Sequence, residues 1–110
     1  MRDDEARVVD ITEACGQILQ FVSNDRERFR TDPVVQAAAQ RWLEIIGEAS
    51  ARLSDDFKLA HPAIRWRDLV GMRNILAHGY FHIDEDILWA AITVDVPRLL
   101  AGLQPAQEGD

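Results

Sequence analysis

Val8 to Val22, VVDITEACGQILQFV, places Val8, Ile11, Cys15, Ile18, Leu19 and Val22 at spacings of three, four and seven residues. Apolar residues at those intervals gather on one side of a helix, whereas a half-buried strand would show strict alternation. The stretch therefore reads as an amphipathic helix running from about Asp4 to Ser23.

Working outward, the pattern breaks at Asn24 to Arg30, NDRERFR, where Arg26, Arg28 and Arg30 alternate with Asp25, Glu27 and Asp32 as in a solvated mixed-charge loop. Thr31 or Asp32 followed by Pro33 reads as a helix start, because an oxygen side chain satisfies orphan amides and proline is tolerated in the first turn. Val34, Val35, Ala38, Trp42, Ile45, Ile46, Ala49 and Leu53 then mark a long second helix. Residues 54–64, SDDFKLAHPAI, form a connection in which Pro62 pushes His61 out of helical geometry. A third helix starts near Trp66, carries Leu69, Val70, Met72, Ile75 and Leu76, and weakens at Gly79. Asp84, Glu85 and Asp86 are placed to cap and charge a fourth, with Ile87, Leu88, Ala91, Ile92 and Val94 apolar and Pro97 expected to kink or divide it. Trp42, Trp66 and Trp89 sit at core or boundary positions. The expected fold is all-α, one antiparallel four-helix bundle over residues 1–103, with a frayed tail from Gln104 to Asp110.

The chain has 110 residues, 47% of them hydrophobic, enough for a thin core that a dimer would support. One cysteine, Cys15, rules out an intramolecular disulfide and suits a reducing compartment, so a cytoplasmic setting is expected. The N-terminus, MRDDEARVVD, is acidic where a signal peptide would be basic and apolar, and no apolar run approaches the roughly 20 residues of a membrane span.

The net charge of −7 argues against a general nucleic-acid coat protein. Its distribution is uneven: residues 57–82 hold Lys58, Arg65, Arg67 and Arg73 against Asp68 alone, together with all three histidines. A local electropositive site on an acidic body follows. Arginine outnumbers lysine eleven to one, which favours forked contacts to phosphate over diffuse charge.

Within that window, Arg73 to His82, RNILAHGYFH, concentrates the polar chemistry. On a helical wheel Leu69, Val70, Leu76, Ala77 and Tyr80 fall within about 60° of Arg73, so this arginine lies in an apolar sector. It is either paired with a carboxylate such as Glu44 or Glu48, or it lines a cleft. His78 lies about 140° away and Asn74 about 100°, so one straight helix does not let Arg73 and His78 grip a single small group. A distortion near Gly79, a long reach by the arginine, or a second copy across a two-fold axis would be required. His78 alone reads equally as a helix-terminal cation or a general base. His78 and His82 have metal-ligand spacing, but no cysteine or well-spaced carboxylate completes a site, so no metal is expected. The glycines make no phosphate-binding loop and no Ser, His, Asp set is apparent.

The run Ile64 to Trp89, IRWRDLVGMRNILAHGYFHIDEDILW, with EIIGEASARLS on the second helix, resembles the HEPN superfamily, specifically the HepT-like toxins of prokaryotic toxin–antitoxin pairs. Arg73, four residues, His78, one residue, Tyr80 matches the motif of those toxins, with polar Asn74 directly after the arginine. The resemblance covers about Val8 to Leu100. It implies a helical homodimer in which two motifs face one cleft, and a metal-independent, cofactor-free endoribonuclease acting through the RNA 2′-hydroxyl. Arg73, His78 and Asn74 would be catalytic, and Arg65 and Arg67, from the same basic stretch, are candidates for contacts to the RNA substrate, a tRNA or an mRNA. It further implies a type VII-like toxin whose partner, a minimal nucleotidyltransferase antitoxin of the MntA type, silences it by transferring AMP to Tyr80. The alternative is a noncatalytic helical dimer that binds a nucleotide or that nucleotidyltransferase.

Overall fold

The computed structural model describes residues 2–22, 24–78 and 85–103. The elements in chain order are α1 (Arg2–Phe21), α2 (Arg26–Thr31), α3 (Pro33–Arg52), α4 (Asp55–Ala60), α5 (Trp66–His78), α6 (Glu85–Ala90), a π-type turn (Ala91–Asp95) and α7 (Val96–Leu103). No strand occurs among the described residues, and the fold is all-α.

The 20-residue α3 is the axis of the molecule, packed against α1 on one side and α5 on another, while α7 returns onto α1. Its start follows the sequence signal closely: Asp32 is the N-cap, its carboxylate accepts from the amides of Val34 (2.9 Å) and Val35 (3.4 Å), and Pro33 stands in the first turn. Ile11, Cys15, Ile18 and Val22 of α1 are buried as their spacing requires. Each fully buried aliphatic side chain contributes about 1.5–3 kcal/mol. On α3 the buried face runs through Val35, Ala39, Leu43, Ile46, Gly47, Ala49 and Ser50. Val34, expected on the apolar stripe, is 76% exposed. The face is turned because α3 is covered from two directions, and a wheel cannot tell which edge of a broad apolar sector a neighbour will cover.

Two connections expected as irregular are helical. Arg26–Thr31 forms α2 rather than a solvated loop: Asp25 caps it through the Arg28 amide (3.0 Å), and Phe29 drives into the core against Trp89, ring centroids 5.4 Å apart. Within 54–64, Ser54 caps α4 by accepting from the Phe57 amide (3.1 Å), and the chain leaves helical geometry at His61, before Pro62. Asp4 of α1 accepts from both the amide (2.9 Å) and the hydroxyl (2.6 Å) of Ser54, tying the first helix to that cap.

Pro97 acts as expected on the last helix, and the form of the distortion is a widened turn. The amide of Val96 reaches back five residues to the Ala91 carbonyl. Because proline has no N–H and its ring crowds the carbonyl four residues earlier, a wide turn just upstream relieves both problems. The expectations for Asp84 and for the tail from Gln104 to Asp110 lie outside the described residues. No described helix is long and apolar enough to cross a membrane.

Candidate active site

The site is built on α5. The backbone carbonyl of Arg65 accepts from the amides of Asp68 (3.1 Å) and Leu69 (3.2 Å), which starts the helix, and Trp66 anchors that start by donating from Nε1 to the His61 carbonyl (3.2 Å). Leu69 and Met72 pack on the core and Leu76 is buried, so the inner face of α5 is fixed against α3.

Arg73 lies at that α3–α5 contact and is half-buried, as its place in the apolar sector requires. Its backbone and Cβ run against Gly47: a Cβ built on Gly47 would stand 2.7 Å from the Arg73 Cβ, 3.3 Å from its Cα and 3.1 Å from the Leu69 carbonyl oxygen. Among the described residues no carboxylate pairs with Arg73. Glu44 instead accepts from Arg41 at 2.9 Å, and Glu48 makes no ion pair with Arg73. Of the two readings left open by the sequence, the described residues supply no carboxylate for the paired one.

Asn74 follows on the exposed side of α5, near exposed Ile75. His78 closes the helix, but its side chain lies outside the described residues, as do Tyr80 and His82 altogether. Arg65 and Arg67 are exposed. Arg65 is bound to Asp68 at 2.8 Å, and it precedes Arg73 by eight residues, roughly 12 Å along a helix axis. Arg73 and Asn74 are thus chain neighbours on α5, one half-buried and one exposed, and Arg65 and Arg67 lie about two turns earlier.

One basic residue escaped the reading of the sequence. Arg98 of α7 joins Arg65, Asp68 and Asp95 around a small pocket of about 60 Å³ floored by Ile64, Leu69 and Leu99. Burial pushes the Asp95 carboxyl above its ordinary value of 3.8, with Arg65 and Arg98 opposing that shift and Asp68 reinforcing it. Thirty-three residues separate Arg65 from Arg98, so no local spacing could have revealed the pairing.

Beyond the motif, α6 is clamped to α2. Arg26 donates to Glu85 (3.0 Å) and to Asp86, and its guanidinium lies 5.9 Å from the centroid of the Trp89 ring. The two acids sit in the first turn of α6, where they also complement the helix dipole. Thus α5, which carries Arg73 and Asn74, is fixed by α3, and α6 is fixed by α2. Among the described residues no group of three or more His, Cys, Asp or Glu is placed to hold a metal ion.

The chain is all-helical, with an arginine at the α3–α5 contact that has no carboxylate partner among the described residues, five residues before the histidine that ends α5. The chain belongs to the ribonuclease HepT-like family, whose model matches residues 11–105. It is 39% identical over 99 residues to a Methanocaldococcus jannaschii protein provisionally named an RNase, covering 89% of this chain and 91% of the relative. It is 44% identical over 91 residues to a Thermococcus cleftensis protein named probable ribonuclease HepT, covering 82% and 83%. A further relative, from Caldanaerobacter subterraneus and also provisionally named an RNase, is 41% identical over 90 residues, covering 81% and 80%. No solved structure matches significantly.

Proposed function

We propose that this chain is a metal-independent endoribonuclease, the toxin of a type VII-like toxin–antitoxin pair, acting as a homodimer in the cytoplasm. The observation that carries the reading is Arg73, held half-buried at the α3–α5 contact with no carboxylate partner among the described residues, within a chain of the ribonuclease HepT-like family. An arginine so placed keeps its charge and its planar donors for an outside anion.

RNA carries its own nucleophile, so no metal-activated water is needed. A base removes the 2′-hydroxyl proton, the 2′-oxygen bonds to phosphorus, the bond from phosphorus to the 5′-oxygen breaks, and an acid protonates that leaving oxygen. His78 is suited to base or acid because imidazole titrates near neutral pH. Arg73 stabilises charge on the phosphorane-like transition state, and Asn74 orients the phosphate or the ribose. Arg65 and Arg67 contact the RNA backbone further along, in a tRNA or an mRNA. The products are a 2′,3′-cyclic phosphate and a 5′-hydroxyl.

The second copy answers the wheel problem. Asn74 and Ile75 are exposed on α5, and Gly71 of the same helix faces open space. Another α5 packed on that surface across a two-fold axis would bring two motifs to one cleft. Residues 1–103 act as the single domain of each copy.

Silencing runs through Tyr80. A minimal nucleotidyltransferase of the MntA type would activate its hydroxyl; the phenolic oxygen attacks the α-phosphorus of ATP, pyrophosphate leaves, and the phenol proton goes to a base. The new phosphodiester adds negative charge and bulk seven residues after Arg73, which on an unbroken helix would be the same side. If Tyr80→Phe were still neutralised by partner plus ATP, covalent silencing would be wrong.

The test of the enzyme reading is incubation of purified dimer with total RNA in EDTA, beside His78→Ala and Arg73→Ala. Cleavage by the unmodified chain alone supports the enzyme. The acidic body, with its net charge of −7, favours the second reading, a noncatalytic dimer that binds a nucleotide or its nucleotidyltransferase. Absence of cleavage, or equal cleavage by both variants, selects that reading.

A further inference from the structure

We propose that Gly47 is a positioning residue for Arg73, setting through backbone contact the place from which the guanidinium reaches substrate; the inference rests on the reading of Arg73 as catalytic. A glycine inside a helix is disfavoured relative to alanine, so its presence in the middle of α3 needs a cause. At Gly16 and Gly71 an added Cβ would meet nothing within 4 Å, and at Gly102 it would meet only the outer carbons of Ile64, which can swing away. At Gly47 the obstacle is rigid. The Cβ would stand 2.7 Å from the Arg73 Cβ and 3.1 Å from a backbone oxygen of α5.

Carbon atoms in contact settle at roughly 3.5–4.0 Å, so an alanine at position 47 would push Arg73 outward by about 1 Å. That distance matters because no ion pair holds Arg73 among the described residues. Where a salt bridge is absent, the packing of the stem is what limits where the charged head can go. Gly47 and Leu69 supply the rigid part of that packing. A misplacement of 1 Å costs an active site roughly 100-fold in rate.

The experiment is steady-state RNA cleavage, with melting followed by far-UV circular dichroism, for Gly47→Ala, Gly16→Ala, Arg73→Ala, Arg73→Lys and the double variant Gly47→Ala/Arg73→Lys. Gly47→Ala should lower kcat by about 10- to 100-fold with KM changed less than about twofold, while Gly16→Ala, on α1, leaves both unchanged. In the Arg73→Lys background the effect of Gly47→Ala should shrink at least about threefold, because a flexible ammonium does not depend on planar docking. A merely structural role would lower kcat equally in both backgrounds, and that result would overturn the proposal. So would a normal kcat in Gly47→Ala when Arg73→Ala is inactive, which leaves the catalytic reading of Arg73 intact. Full activity in Arg73→Ala would instead overturn that reading itself, and the positioning role with it. Should Gly47→Ala melt below the assay temperature, the comparison is made in trimethylamine N-oxide, which strengthens burial, at a temperature where its dichroism equals that of the unmodified chain.

Discussion

Phe29→Ala tests how α2 is held. Phe29 is 1% exposed and its ring faces Trp89 at 5.4 Å. A phenylalanine side chain buries at least ~150 Å², which at ~25 cal/mol per Å² is about 4 kcal/mol, and the aromatic pair adds ~0.5–1.5 kcal/mol. Phenylalanine-to-alanine changes in cores cost ~3–5 kcal/mol, the lower end applying where the site collapses. A six-residue helix at the edge of the core collapses more readily than a long one, so about 4 kcal/mol is expected. In a domain of this size that is a fall in Tm of about 15 °C or more. Urea unfolding with Phe29→Leu and Trp89→Ala as companions provides the assay, with the double-mutant cycle isolating the ring pair. A loss below about 1 kcal/mol for Phe29→Ala would refute the reasoning, since a residue of a solvated loop behaves in that way.

Three further outcomes follow from individual groups. Asp95 has its pKa raised by burial, so its protonated form is the one the fold favours: stability is greatest below the ordinary value of 3.8 and is lost as pH rises through the folded value. Asp95→Asn should therefore raise Tm at pH 7, with the gain vanishing below about pH 3; a lower Tm at pH 7 would contradict it. Asp4 is the opposite case, held below its ordinary value by the side-chain and then the backbone hydrogen bond from Ser54. Its contribution is present above the unfolded value and lost as pH falls through the folded one, so Asp4→Asn should lower Tm at pH 7 and match the unmodified chain in strong acid. Cys15, whose thiol burial pushes up to about 12, should resist a disulfide reagent at pH 8 and react only at the rate of unfolding; immediate reaction would place it at the surface.

The fold was legible wherever an element was long enough to repeat its pattern. Ile11, Cys15, Ile18 and Val22 are buried at the intervals that marked them, and Asp32 with Pro33 starts α3 at the position their chemistry favours. The short helices α2 and α4 were not legible, because fewer than two turns hold too few apolar residues to show a period. Each depends on a cap, and α2 on one buried ring, features that become decisive only when Trp89, sixty residues further on, is in place. The exposure of Val34 shows the same limit: its apolar sector was visible, its neighbours were not.

The candidate site was legible in part. The apolar neighbours of Arg73 on the wheel placed it in the core contact, where it is found half-buried. The role of Gly47 was hidden inside an ordinary helical run, because a close approach between two helices leaves no mark on the spacing of either. Arg98 was hidden for the same reason, reaching Arg65 only through the return of α7.

The end groups left on cleaved RNA test the central claim most directly. A labelled RNA digested by the purified chain in EDTA should yield 2′,3′-cyclic phosphate and 5′-hydroxyl ends, and no products with His78→Ala or Arg73→Ala. Ends bearing 3′-hydroxyl and 5′-phosphate, or cleavage that requires added magnesium, would contradict the account.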